Sequence, residues 1–143
     1  MNNALLTVYH FIVNWGGTNE SFLEVSGLNI ENEIIEYREG GSSEPIPIKF
    51  PGIRKYSNIQ LTRGIVKGDT EFHKWMNTIQ HNKVEKRNIT ISLLDENHAP
   101  VRVWKVRNAW PCKIVGPYLN AESSEVAMET IELAHEGLEV EGA

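Results

Sequence analysis

Few groups in this 143-residue chain could do chemistry, and their spacing decides against most of it. Five histidines, His10, His73, His81, His98 and His135, are scattered along it. None falls in the H-E-x-x-H spacing that sets two imidazoles on one helical face around a metal. His73 and His81 bracket one helical stretch but lie too many turns apart to share an ion. Cys112 is the single cysteine, so an internal disulfide is excluded, and no histidine stands near it in sequence. Glycine pairs occur in "NWGG" and "REGG", but neither joins a strand to a helix as a phosphate-cradling loop must. Glu31/Glu33 and Asp95/Glu96 fall in turns or on strand faces, where solvation explains them. The residues define no catalytic, metal or cofactor site, and the small investment in Ser, His and Cys favours assembly or binding.

The elements that would position any site are mostly strands. Residues 7–14, 21–27 and 29–38 are rich in β-branched and aromatic residues and end at Gly or Ser-Gly breakers. In 57–64, Ile59 and Leu61 alternate with Asn58, Gln60 and Thr62, the period of a half-buried strand. Alternation returns in "NITISLLD", in "PVRVWKVRNAW" and over about 125–135. In the last of these, Glu129, Ile131 and Leu133 share one face. One stretch breaks the rhythm. Phe72, Trp75, Met76 and Ile79 fall at i, i+3, i+4 and i+7, which predicts a helix over about 69–82 packing that stripe on the sheet, with Asp69 as its N-cap. Many strands, one helix and no βαβ rhythm predict a mainly β fold, a small antiparallel β-barrel or two packed sheets with one α-helix. Several strands are mixed on both faces, so both faces are expected to meet something, the core on one side and a neighbour or channel on the other.

Length bounds this to one domain, residues 1–143. At that size roughly 68–70 % of the unfolded surface is buried, enough for a core without metal or disulfide. No signal peptide is expected, and no run approaches the ~20 apolar residues of a membrane span. Net charge is −5, but the signs are segregated. Residues 1–37 and 117–143 lack Lys and Arg and together carry −12, while the middle carries +7. No Lys/Arg stripe with interleaved aromatics points to nucleic acid. A chain polarised in this way suits association with copies of itself, acidic ends meeting the basic middle of the next.

Between two strands lies an arm at about 38–52, with Arg38, Glu39, Gly40, Gly41, Glu44, Lys49, Pro51 and Gly52. Its prolines pre-set φ and reduce the entropy lost on ordering, its glycines permit a sharp turn, and both signs of charge are available for pairing.

Taken together, "FLEVSGLNIENEIIEYREGG", "KFPGIRKYSNIQLTRG", "FHKWMNTIQHNKVEKRNITISLLDE", "VWKVRNAWP" and "EVAMETIELAHEGL" resemble the tube proteins of contractile phage tails and extracellular contractile injection systems. The resemblance runs from about Tyr9 to Leu138, and "VEKRNITISL" and "WKVRNAWP" are nearer the injection systems. It implies a non-enzymatic subunit without cofactor. Six copies would form a ring, and rings would stack into a hollow tube inside a contractile sheath. The arm would bind neighbouring subunits and rings. Implied partners are further copies, the sheath protein, baseplate or initiator tube proteins and a terminator cap. Protein effector or DNA would pass through the lumen, with a membrane only as the pierced target. Assembly in a bacterial cytoplasm is expected before the chain joins a phage-tail-like particle. A small-ligand-binding barrel, with an enclosed apolar cavity, is the competing reading, and an enzyme with a site assembled from scattered polar residues is a third.

Overall fold

A computed structural model describes residues 10–16, 22–38, 40–41 and 46–142. The elements are β1 (Phe11–Asn14), β2 (Glu24–Ser26), β3 (Ile30–Tyr37), β4 (Ile48–Tyr56), β5 (Ile59–Gly64), α1 (Glu71–Met76), β6 (Arg87–Leu94), β7 (Pro100–Val115), β8 (Met128–Ala134) and β9 (Gly137–Gly142). Residues 7–9 and 21 of the expected strands lie outside the described residues.

The long strand β7 organises everything. Its first part pairs with β6 on one side and β9 on the other, and its second part pairs with β8. The resulting order is β1-β6-β7-β8-β5-β2, antiparallel throughout, with β9 branching from β7. The handover occurs at Asn108, whose φ of +51° suits asparagine better than most residues. Its N–H donates to Asn88 Oδ1 at 3.1 Å, and its Nδ2 donates to Glu136 Oε2 at 2.6 Å. The buried phase shifts there, from Val106 to Ala109 and then Pro111. One sheet is thus folded into two layers, and side chains from both form a single core.

Ile59, Leu61, Ile131 and Leu133 fill one layer, and Ile89, Ile91, Val106 and Leu138 the other. Aromatics close the end between them. Trp15 stands edge-on to Phe72 at 5.1 Å and to Phe22 at 6.1 Å, and Trp75 lies 5.8 Å from Trp15. Among the described residues, these side chains fill the space between the two layers.

Arg63 lies inside this packing, with a side chain only 2 % exposed. Its Nε donates to Glu129 Oε1 at 3.0 Å, and Nη1 and Nη2 donate to the two oxygens of Asp69 at 3.2 Å each. Its Cζ sits 3.9 Å from the centroid of Phe72. A buried guanidinium needs such partners, because an unpaired charge in the interior is far more costly than an unpaired hydroxyl.

The helix is shorter than predicted, Glu71–Met76 instead of 69–82. Asp69 is not the N-cap. Thr70 holds that position, and the Asp69 carboxylate accepts the Glu71 N–H at 3.0 Å while also holding Arg63. At the other end, Thr78 Oγ1 donates to the Trp75 carbonyl at 2.7 Å and accepts the Glu85 N–H at 3.2 Å. A hydroxyl competing for helix carbonyls favours termination. His81 and Asn82 then turn the chain at positive φ, with Gln80 and Lys83 bridging across the turn. Phe72 and Trp75 are buried and Met76 is half-buried, but Ile79 falls beyond the helix and is 40 % exposed.

Removing the Arg63 charge strands two carboxylates in the core. Arg63→Ala is expected to lower stability by about 3–5 kcal/mol. By contrast, Lys86→Ala, at the exposed Lys86–Glu136 pair, should change it by about 0–1 kcal/mol. Urea unfolding monitored by tryptophan fluorescence measures both, and equal effects would refute the ranking.

Candidate assembly surface

The hairpin of β3 and β4 stands apart from the folded sheet. Among the described residues its two strands pair only with each other and pack mainly on each other. Every residue of β3 is exposed. It departs from the body at Gly27, whose φ is +91° and whose position leaves no space for a Cβ against the Asn58 carbonyl.

Register sorts the hairpin's side chains. Pairs Ile30–Tyr56, Asn32–Arg54, Ile34–Pro51 and Glu36–Lys49 lie on one face. Pairs Glu31–Lys55, Ile35–Phe50 and Tyr37–Ile48 lie on the other. β4 carries an extra residue opposite Glu33, and Gly52 sits at this bulge, where a Cβ would come 3.1 Å from the Glu33 carbonyl oxygen. Arg54 Nε donates to Asn32 Oδ1 at 3.2 Å. Toward the tip, Ile35, Tyr37, Ile48 and Phe50 form an apolar face about half open to water, 52, 53, 49 and 48 % exposed. The sequence presents the arm through its prolines, glycines and charges. The structure adds a feature to this, drawing apolar side chains from both sides of the loop into one half-exposed patch.

Of the residues expected in the arm, Arg38 is exposed just after β3, and Gly40 and Gly41 form a turn. Lys49, Pro51 and Gly52 belong to β4 itself, so the arm is a strand hairpin whose second half starts at Ile48. Glu39 and Glu44 lie outside the described residues. Sequence reasoning missed the apolar tip face because Pro51 and Gly52 read as strand breakers. It also missed Arg63–Glu129–Asp69. The signal was present: Arg63 shares the buried phase of Ile59 and Leu61, and Glu129 that of Ile131 and Leu133.

The segregated charges meet inside the chain. The acidic C-terminal part supplies Glu129 to Arg63, Glu136 to Lys86 at 2.9 Å, and Glu141 to Lys105 at 2.9 Å. Lys86, followed by Asn108, holds the Glu136 carboxyl below the usual carboxylate range. The attraction expected between copies is thus partly satisfied within one.

Cys112 is exposed as a residue, yet desolvation of its sulfur, followed by the charge of Glu132, pushes the thiol up from its ordinary value. Glu132 accepts hydrogen bonds from Gln60 at 2.9 Å and Asn58 at 3.1 Å, which keep its carboxyl ionised and low. Such an environment opposes the thiolate that a nucleophile needs. Among the described residues no group of three or more His, Cys, Asp or Glu side chains is placed to hold a metal, and no helix is long and apolar enough to cross a membrane.

The family described as T4-like virus tail tube protein gp19 matches residues 7–139. A chain in the sheath-tube complex of PVC, an extracellular contractile injection system, in its extended state is 36 % identical, with a TM-score of 0.90 over 99 % of this chain and 94 % of that one. A chain of the tube-terminating cap of the anti-feeding prophage AFP is 35 % identical, with a TM-score of 0.91 over 100 % and 95 %. Hcp1 from Flavobacterium johnsoniae is 15 % identical, with a TM-score of 0.60 over 94 % and 97 %, a likeness of fold alone. No curated protein matches the chain.

The thiol geometry has a measurable consequence. With its pKa raised, Cys112 holds less thiolate at a given pH, so alkylation by iodoacetamide at pH 8 should be slower than in an unstructured peptide. Glu132→Gln removes the nearby negative charge and should speed it, which mass spectrometry of a time course will show. An unchanged rate in that variant would remove Glu132 from the account.

Proposed function

This chain belongs to the T4-like virus tail tube protein family, and from that premise we propose that it is the repeating subunit of the inner tube of an extracellular contractile injection system. Six copies close into a ring, as is general in the family, and rings stack into a hollow tube. A contractile sheath surrounds the tube, a baseplate with its initiator proteins starts it and a terminator cap ends it. The observation that carries this reading is full-length likeness, at 36 and 35 % identity, to chains of a sheath-tube complex and a tube cap. Because both belong to injection particles, protein effector is the favoured cargo, with DNA the cargo of a phage tail. The chain acts structurally, without catalysis or cofactor. In this reading it assembles in a bacterial cytoplasm, ahead of incorporation into the particle.

Physical features of the fold support self-association. β1, β2 and β9 each have a single strand neighbour among the described residues. Unpaired edges template pairing with another chain unless they are covered, and ring closure covers them. An isolated two-stranded hairpin is marginal in water, so β3–β4 gains order when a neighbour packs on it. Arg38, Gly40, Gly41, Lys49, Pro51 and Gly52 thereby shape and charge an arm that contacts other copies, and Glu39 and Glu44, outside the described residues, add acid to the same stretch of sequence.

Negative-stain electron microscopy and solution mass test this together. The expected result is six-fold rings or stacked tubes, with a mass near six times the 16.2 kDa chain or larger. A chain that remains monomeric at every concentration, even with its sheath and baseplate proteins, would overturn the reading. Tyr37→Asp, at a position 53 % exposed, should abolish tubes while leaving monomer stability within about 0.5 kcal/mol.

A further inference from the structure

The hairpin joins the body through two short crossings, residues 27–29 on the way out and residues 57–58 on the way back. Each residue outside a strand ladder keeps two soft dihedrals, so the crossings alone do not fix the angle of the arm. Some bonds brace the crossings against themselves. The Asn29 N–H donates to the Gly27 carbonyl at 2.8 Å, and Asn29 Nδ2 donates to Ser57 Oγ at 3.4 Å. From the body, Glu132 on β8 accepts Asn58 Nδ2 at 3.1 Å, which settles where the returning chain enters β5.

His135 acts one residue nearer the arm. It follows directly on β8, and its Nε2–H donates to the Ser57 carbonyl at 2.9 Å. Its ring lies 5.6 Å from that of Tyr56, the last residue of β4. A carbonyl only accepts, so Nε2 carries the proton and Nδ1 is left as an acceptor. Nδ1 is buried and meets no partner among the described residues. Such atoms are few in folded proteins, and each calls for a reason.

We propose that His135 is a latch that sets the angle at which the hairpin stands from the body, held by the Ser57 carbonyl and the Tyr56 ring and made releasable by its unpartnered Nδ1. Swinging the ring outward breaks the Ser57 bond but lets water reach both ring nitrogens, so the loss is partly offset. Tyr56 is otherwise packed on the edge of the core, which places the latch where the arm and the rigid body meet. The purpose of the device rests on the tube reading. An arm aimed before contact loses less freedom when a neighbour covers it, and one that can yield is able to adjust as it is covered.

Distances between spin labels in the full-length monomer test this. In a Cys112→Ser background, Lys49→Cys on the arm and Glu96→Cys on the turn between β6 and β7, both exposed, carry nitroxides. Double electron–electron resonance should give one dominant distance while His135 is present. His135→Phe keeps a ring against Tyr56 but removes the donor, and should lose that dominant distance to a broad, shifted distribution. His135→Gln restores an N–H donor near the Nε2 position and should bring the dominant distance back, which a purely packing role would not do. Tryptophan fluorescence checks that each variant is folded, and His135→Leu replaces His135→Phe if the latter is not. An unchanged distribution in His135→Phe, or one in His135→Gln as broad as in His135→Phe, would overturn the latch. If wild-type chain forms no rings under any assembly condition, the tube reading falls, while the latch still stands or falls on the monomer distances.

Discussion

Arg63 imposes the constraint on which the rest of the domain depends. A guanidinium withdrawn from water must find carboxylates and a π-face at fixed positions, and here each comes from a different part of the chain. Glu129 arrives on β8, Asp69 on the turn before α1, and Phe72 on α1 itself. Placing all three fixes the register of β5 against β8 and brings the helix down over the end of the sheet. Trp15 and Phe22 then pack against Phe72, so the aromatic closure of the core follows from the same demand. Apolar burial supplies most of the stabilising free energy, but it is non-directional. The ionic cluster adds geometry, because a one-residue slip of β5 would turn Arg63 outward and strand Glu129 inside.

A rigid body of this kind matters to a subunit whose work is mechanical. The hairpin behaves differently. It has no core of its own, and its apolar tip face is open to water in the isolated chain. Such a surface is a liability in a monomer and an asset in an assembly, where covering it releases water and orders the strands together. Pro51 and Gly52 belong to this compromise. Both weaken a strand taken alone, yet in β4 they sit beside the bulge and restrict pairing beyond the intended register.

Much of the fold was legible in the sequence wherever one face of a strand is buried. The alternation of Ile59 and Leu61, of Ile89 and Ile91, and of Ile131 and Leu133 reports directly which side meets the core. Legibility fails where a local signal is overruled from a distance. Phe72, Trp75, Met76 and Ile79 have helical spacing, but the Thr78 hydroxyl and the turn at His81–Asn82 end the helix before Ile79. β9, a short Gly-bounded segment with alternating Glu, makes sense only once β7 lies beside it. The tip face is illegible for a related reason. Ile35 and Tyr37 precede the loop and Ile48 and Phe50 follow it, so only the hairpin register shows them as one patch.

The charge pattern shows the same lesson in reverse. Segregated signs along a sequence invite an explanation between molecules, since the acidic ends and basic middle look made for different partners. Topology answers part of that within the chain, because β8 and β9 lie beside β5 and β7 and bring Glu129 and Glu141 to Arg63 and Lys105. Exposed pairs such as Lys105–Glu141 add little stability, and charges already engaged inside a subunit have less to offer a neighbour. Surfaces that lack partners among the described residues, the open strand edges and the tip face of the hairpin, are then the ones left to meet a neighbour. Electrostatics is left to set orientation and rate of encounter. That division suits a tube, whose rings must meet in a single polarity and then hold when the surrounding ionic conditions change.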